Sequence, residues 1–200
     1  EGAVGEPVPF HDANNGGNNM LWHNQRDWTF EDVAPQVGLD ENNTRFSFAA
    51  SWEDYDQDGD LDLYVANDFG APDQLYRNNG NGSFTDRIAQ TVPHTPWFSM
   101  GCDVADINND GMLDLLASDM SGTSHLKQKM SMGDTTAIRW FLDWGTPRQY
   151  MRNALFVNTG TSRFLEVAQL AGLANTDWTW TPRFVDLDED GKLDLYVTNG

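Results

Sequence analysis

A single cysteine, Cys102, occurs in the 200 residues, so no disulfide can form within the chain and thiols say nothing of its redox compartment. Basic residues are scarce: 12 Lys and Arg stand against 31 Asp and Glu, a formal net charge of −19. A surface of that sign repels phosphate backbones and anionic headgroups, which excludes nucleic acid and insertion into anionic membranes. Hydrophobic runs are short, and none approaches the roughly 20 residues of a membrane-spanning helix. No signal peptide leads the chain, which starts at Glu1, as expected of a processed secreted protein or a piece of a longer one. The histidines, His11, His23, His94 and His125, are scattered and share no metal-ligand spacing. With no nucleophile set beside them, no catalytic constellation emerges, and the chain reads as a non-enzyme.

Acidic residues, by contrast, are concentrated. From Asp54 to Asp62 every second residue is Asp, in DYDQDGDLD. Like charges so crowded repel one another, and a bound cation is the remedy. Asp54, Asp56 and Asp58 take loop positions 1, 3 and 5, Gly59 position 6 and Asp62 position 9, a spacing that suits oxygen ligands around Ca²⁺. Two further copies follow: Asp106, Asn108, Asp110, Gly111 and Asp114, then Asp186, Asp188, Asp190, Gly191 and Asp194. Position 7 is Asp60, Met112 or Lys192, so its backbone carbonyl rather than its side chain is the candidate ligand. Three Ca²⁺ sites are expected, the second the weakest because Asn108 lowers its ligand charge. These are not EF-hands, since position 12 is Val65, Ala117 or Val197 instead of a bidentate Glu.

Before each loop the pattern has period two. Phe46, Phe48, Ala50 and Trp52 alternate with small or polar residues, as do Phe98, Met100, Cys102 and Val104, and Trp178, Trp180, Pro182 and Phe184. Such alternation predicts a strand with one buried face. LDLYVAN, LDLLASD and LDLYVTN supply a second strand after each loop, so each loop closes a β-hairpin. A second hairpin recurs: LWHNQRDWTFEDVAPQVGL, LYRNNGNGSFTDRIAQTVP and LFVNTGTSRFLEVAQLAGL align without gaps, with aromatic pairs Trp22/Phe30, Tyr76/Phe84 and Phe156/Phe164. Four short strands per unit of about 50 residues describe an all-β fold of β-propeller-type, four-stranded blades with calcium-binding hairpin loops. The expected organisation is a Gly/Asn-rich segment over 1–19, a half-blade over 20–34, blades over 45–88 and 97–168, and a half-blade over 177–199. An insertion over 120–152 interrupts the second blade.

The motif D-x-D-x-D-G-x-x-D-L with its following N-x-G-x-G-x-F segment resembles FG-GAP/VCBS repeats, the calcium-binding blades of integrin α-subunit propellers and many bacterial secreted proteins. The resemblance covers roughly 20–200 and implies a secreted or cell-surface protein whose calcium loops join the inner strands of each blade. It also rationalises Pro182, because the innermost strand of a blade is a sheet edge. Phe69-Gly70-Ala71-Pro72 only partly echoes the FG...GAP signature, which brings the bacterial form nearer. Three blade-equivalents are too few to close a ring, so either more blades are expected to continue the propeller or a second copy to pair with its cut edges.

The insertion carries Lys127, Lys129, Arg139, Arg148 and Arg152 with Trp140 and Trp144. A basic, aromatic loop on an acidic body reads either as a contact surface, with Lys127, Lys129, Arg139, Trp140, Trp144 and Arg148 facing a partner, or as a lid packed on the propeller. Asn42-Asn43-Thr44 and Asn81-Gly82-Ser83 match glycosylation sequons. Function stays open between an adhesion or protein-interaction scaffold, a carbohydrate-binding propeller using Trp28, Trp97, Trp140, Trp144 or Trp178, and part of a calcium-dependent polysaccharide-active enzyme.

Overall fold

The computed structural model describes residues 16–40, 44–68, 71–132 and 146–200. In chain order a first hairpin, β1 (Trp22–Asn24) and β2 (Phe30–Asp32), leads through α1 (Ala34–Val37) to β3 (Phe46–Glu53), β4 (Asp62–Asp68), β5 (Gln74–Asn78) and β6 (Phe84–Asp86). Next come α2 (Ile88–Thr91), β7 (His94–Pro96), β8 (Gly101–Ala105), β9 (Asp114–Ser118), β10 (Met120–Ser121) and α3 (His125–Met132). The chain ends in β11 (Arg148–Tyr150), β12 (Ala154–Val157), β13 (Leu165–Glu166), β14 (Asp177–Val185) and β15 (Asp194–Asn199). The fold is all-β and built of propeller-type blades. Two four-stranded antiparallel sheets run β3-β4-β5-β6 and β8-β9-β12-β13, and a third sheet runs β10-β14-β15.

The sheets stack face to face, which explains why LYVA and LLA lack alternation: β4 and β9 are buried on both sides. Tyr64, Ala66 and Leu75 of the first blade meet Cys102, Leu115, Ala117 and Phe156 of the second in the largest core cluster. The opposite face of β4, Leu63 and Val65, packs on Ala34 and Leu39 after the first hairpin. Beyond the second blade, Leu116 and Leu155 pack against Phe184 and Leu195. The strands β8 and β14 approach so closely that a Cβ on Gly101 would stand 2.2 Å from the Trp180 carbonyl oxygen, and only glycine fits.

Identical patterns meet different surroundings. Tyr64 and Tyr196 hold the same place in LDLY, yet Tyr64 is 3% exposed and Tyr196 60%, because no described residue covers that face of β15. The strand before the first loop also departs from expectation. Phe48 and Trp52 are exposed, while Ser47, Ala49, Ser51 and Glu53 are half-buried, so the small-residue face turns toward the next blade. That side leaves little room, and β3 lies directly against β8. In β14 the predicted core face holds for Pro182 and Phe184 and fails for Trp178 and Trp180. A β-bulge is the cause: Thr179 pairs with Asn199 and Thr181 with Thr198, which leaves Trp180 unpaired and flips the parity before it. Pro182 lies beyond β10, which reaches only Asp177 and Trp178, so its missing N–H falls on an open edge.

The insertion is more structured than a single loop. β10 at its start pairs with β14, and β11 near its end forms a parallel pair with β7. Sequence reading finds neither, because strands of two and three residues carry no readable period.

Candidate metal centre

The three loops share one hydrogen-bond plan. Position 1 receives two backbone N–H groups: Asp54 from Asp58 and Gly59 at 3.1 and 2.9 Å, Asp106 from Asp110 and Gly111 at 3.0 and 2.8 Å, Asp186 from Asp190 and Gly191 at 3.1 and 2.8 Å. The position 5 carboxylate accepts the N–H of position 7, Asp60, Met112 or Lys192, at 2.8–3.1 Å. Position 9 reaches back to the N–H of position 2: Asp62 to Tyr55, Asp114 to Ile107, Asp194 to Leu187. This turn needs positive φ at position 6, +93° at Gly59, where an added Cβ would meet nothing, so conformation and not space demands glycine.

The plan gathers oxygen. Ligand-capable oxygens of Asp54, Asp56 and Asp58 lie within 4.8 Å of one another, as do those of Asp186, Asp188 and Asp194. In the second loop the neutral Asn108 breaks the carboxylate set and donates its amide to Asp110 at 2.9 Å. An all-oxygen donor set without His or Cys fits a hard cation such as Ca²⁺ rather than a transition metal. Asp62 and Asp114 are also buried and accept a second N–H from the third strand, Asn78 at 2.7 Å and Asn158 at 2.8 Å. Burial, with Asp56 and Asp58 nearby, pushes the Asp62 carboxyl up to about 6, and burial raises Asp114 likewise. A cation at the loop would reverse that trend.

Three features escape sequence reading. Arg77 on β5 grips the first loop, Nε 2.6 Å from Asp56 and Nη2 3.0 Å from Asp58. Gln57 and Asn109, both at position 4, donate to the Gly carbonyl of the following loop. The acids two residues after the second-hairpin phenylalanine, Asp32, Asp86 and Glu166, each accept an N–H from the short turn that follows, from Ala34, Ile88 and Ala168. The last was legible as a shared acid in FED, FTD and FLE; the first two depend on side-chain reach across strands.

At the insertion, Lys127 lies on α3 and pairs with Asp177 at 2.6 Å, which with the Thr123 contacts holds Asp177 down at about 2. Lys129 and Arg148 are exposed, and Arg139, Trp140 and Trp144 lie outside the described residues. Of the other candidate tryptophans, Trp97 is buried and unavailable to a sugar, whereas Trp28 and Trp178 are exposed. Asn81 sits exposed at a turn tip; the Asn42 sequon begins outside the described residues, as do Phe69 and Gly70.

The FG-GAP-like repeat matches the sequence at residues 54–117 and 142–197, together more than half of the chain. The chain belongs to the FG-GAP-like repeat family. The first match opens on Asp54, position 1 of the first loop, and the second contains the third loop whole. No curated protein matches the chain. Among the described residues of this FG-GAP repeat protein no helix is long and apolar enough to cross a membrane.

Proposed function

We propose that this FG-GAP repeat chain is a calcium-stabilised, extracellular scaffold for protein or glycan partners, with a binding and not a catalytic role. One observation carries the reading: three loops 52 and 80 residues apart repeat a single hydrogen-bond plan, which in the first and third converges acidic oxygens that are otherwise a concentration of like charge. The residues that would hold the ions are Asp54, Asp56, Asp58 and Asp62, Asp106, Asn108, Asp110 and Asp114, and Asp186, Asp188, Asp190 and Asp194, with the carbonyls of Asp60, Met112 and Lys192. Bound Ca²⁺ supplies charge neutralisation and cross-links the hairpin; the chain's own residues set the turn and the spacing. Metal analysis of purified protein, with thermal melts in calcium and in EDTA, tests this. No bound metal and an unchanged melt would falsify it.

Self-association belongs to the same reading. β4 and β9 each pair with a third strand, β5 and β12, whereas β15 is the edge of its sheet. A third strand, from further sequence or from the β1–β2 hairpin of a second copy, would satisfy that edge. Light scattering in calcium should show species larger than one chain where a second copy supplies it.

A further inference from the structure

Between the first two blades, beside the first loop, lies a cavity of about 500 Å³. Two of the chain's 12 basic residues, Arg77 and Arg87, line it, and among the described residues Asp56 is its one acidic lining residue. Gln90, Asn158 and Thr161 make much of the remaining wall amide and hydroxyl. Asp56 is already neutralised by Arg77. Arg87 uses its main chain, donating to the Leu75 carbonyl at 2.7 Å, but its guanidinium makes no ion pair with any described residue. In a chain of net charge −19, a basic side chain with no ion-pair partner among the described residues, lining a polar cavity, calls for an anion from outside.

Arg77 adds a condition. Its two partners, Asp56 and Asp58, are positions 3 and 5 of the first loop, so guanidinium and divalent cation claim the same oxygens. The second blade has Val157 in the place of Arg77, and there the device is absent. A hard cation coordinated at the loop outcompetes one guanidinium for those carboxylates, and the displaced fork has the cavity to turn into. We propose that this cavity binds the carboxylate of an acidic sugar through Arg87 and Arg77, and that a divalent cation in the first loop releases Arg77 for the task. The amide and hydroxyl wall suits the ring hydroxyls of a uronate better than the apolar side chains of a peptide. Tyr55 lines the same cavity. Cation and uronate then bind with positive coupling, each tightening the other by the same factor.

The inference rests on the calcium reading above, and the test separates the two. Digalacturonate and neutral digalactose are titrated into the whole chain, stripped on a chelating resin or in excess calcium, by ligand-observed NMR. Calcium uptake is measured in parallel by calorimetry. Digalacturonate should bind about tenfold more tightly with calcium than without, and digalactose in neither state. Arg87→Gln, at an exposed site, should lose about tenfold in uronate affinity while taking up calcium like wild type. Arg77→Gln should abolish the calcium dependence while calcium binds the first loop as tightly as before or tighter. Equal binding of digalactose, indifference to Arg87→Gln, or weakening by calcium would overturn the proposal, as would binding of a Glu-Glu dipeptide without the uronate. If calcium binds and the uronate does not, only this inference falls; if no loop takes calcium, the scaffold reading falls with it.

Discussion

Gln57 Nε2 donates to the carbonyl oxygen of Gly111 at 2.6 Å, and one repeat later Asn109 Nδ2 donates to the carbonyl of Gly191 at 3.2 Å. Both donors occupy position 4, where φ is +59° and +57°. The left-handed backbone there throws the side chain sideways, across the gap between blades. Each loop is thus tied to the next through the residue the metal plan leaves over. In the third loop position 4 is Glu189, whose carboxylate can accept but not donate, so the chain of amide links stops there.

Gln57→Ala should therefore weaken contact between the first two blades without touching a candidate ligand. An exposed side-chain hydrogen bond contributes about 0.5–1 kcal/mol, which for a chain of this size lowers Tm by roughly 1–4 °C. Calcium uptake should be unchanged by calorimetry. A melt identical to wild type would show that the link carries no stability.

Calcium removal should cost more. At free calcium tenfold above Kd each site adds about RT ln 11, roughly 1.4 kcal/mol, so three sites add about 4 kcal/mol. That is a large share of the roughly 5–15 kcal/mol typical of a domain. EDTA should lower Tm clearly, and Asp58→Ala or Asp190→Ala should each remove part of the effect. Asn108→Asp should tighten the second site, since it restores the carboxylate the other two loops carry at position 3; a calorimetric titration that shows no gain would count against the charge argument.

Much of this was legible in the chain. The loops announce themselves because side-chain oxygens at fixed spacing around a glycine are a local property, and the blades follow because their strands and turns recur. Burial was legible only where both neighbours exist. Phe48 and Trp180 occupy the same place, six residues before their loops, and both are the unpaired residue of a β-bulge; in β14 the extra residue turns Trp180 out of the core, in β3 the whole face that carries Phe48 points away from the next blade, and the two rings meet edge-on at 6.2 Å. Periodicity counts residues and cannot see an extra one. Arg77 was illegible for another reason: nothing in LYRNNG says that its guanidinium reaches back 19 and 21 residues to Asp58 and Asp56.

Asp73 predicts a pH effect. It is fully buried, accepts the Asn67 N–H at 2.9 Å and the Ser99 hydroxyl at 2.7 Å, and also the Tyr64 hydroxyl. Burial pushes its carboxyl up to about 7. The folded state thus holds a proton that the unfolded chain releases near pH 4, so stability is greatest at low pH and is lost as pH rises through about 7, by at most about 1.4 kcal/mol per pH unit. Asp73→Asn should remove this slope at little structural cost, because Tyr64 and Ser99 can accept from an amide as readily as they donate to a carboxylate. Denaturant melts of chelated protein across pH 4–8 provide the measurement, read as variant minus wild type. A difference that does not grow with pH would refute the assignment.

His94 pulls the other way. Arg152 Nη2 lies 2.9 Å from His94 Nε2 and 2.7 Å from a Glu166 oxygen, and that Nε2 is itself 3.2 Å from the same oxygen. A guanidinium can only donate, so in its bond to Nε2 the ring is neutral and accepts. Burial lowers the His94 pKa below its usual 6.5, and Arg152 beside it does the same, against Glu166. Here the unfolded state binds the extra proton, so this contribution to stability is present above about pH 6.5 and is lost as pH falls. The cluster joins β7 to the strand end beyond β11, so protonation should first loosen the parallel pair that ties the insertion to the body. Lowering pH from 7 to 5 should thus reduce protection against amide exchange, measured relative to the intrinsic rate, at Thr95 and Gln149 before it does so in β4 or β9. His94→Gln, which cannot gain a proton, should make exchange at those two amides independent of pH beyond the intrinsic rate. In wild type the Asp73 and His94 trends oppose each other within one window, and a flat overall melt would conceal both, so each must be read against its own variant. Exchange at β7 and β11 that follows global unfolding at every pH would refute the local role of His94.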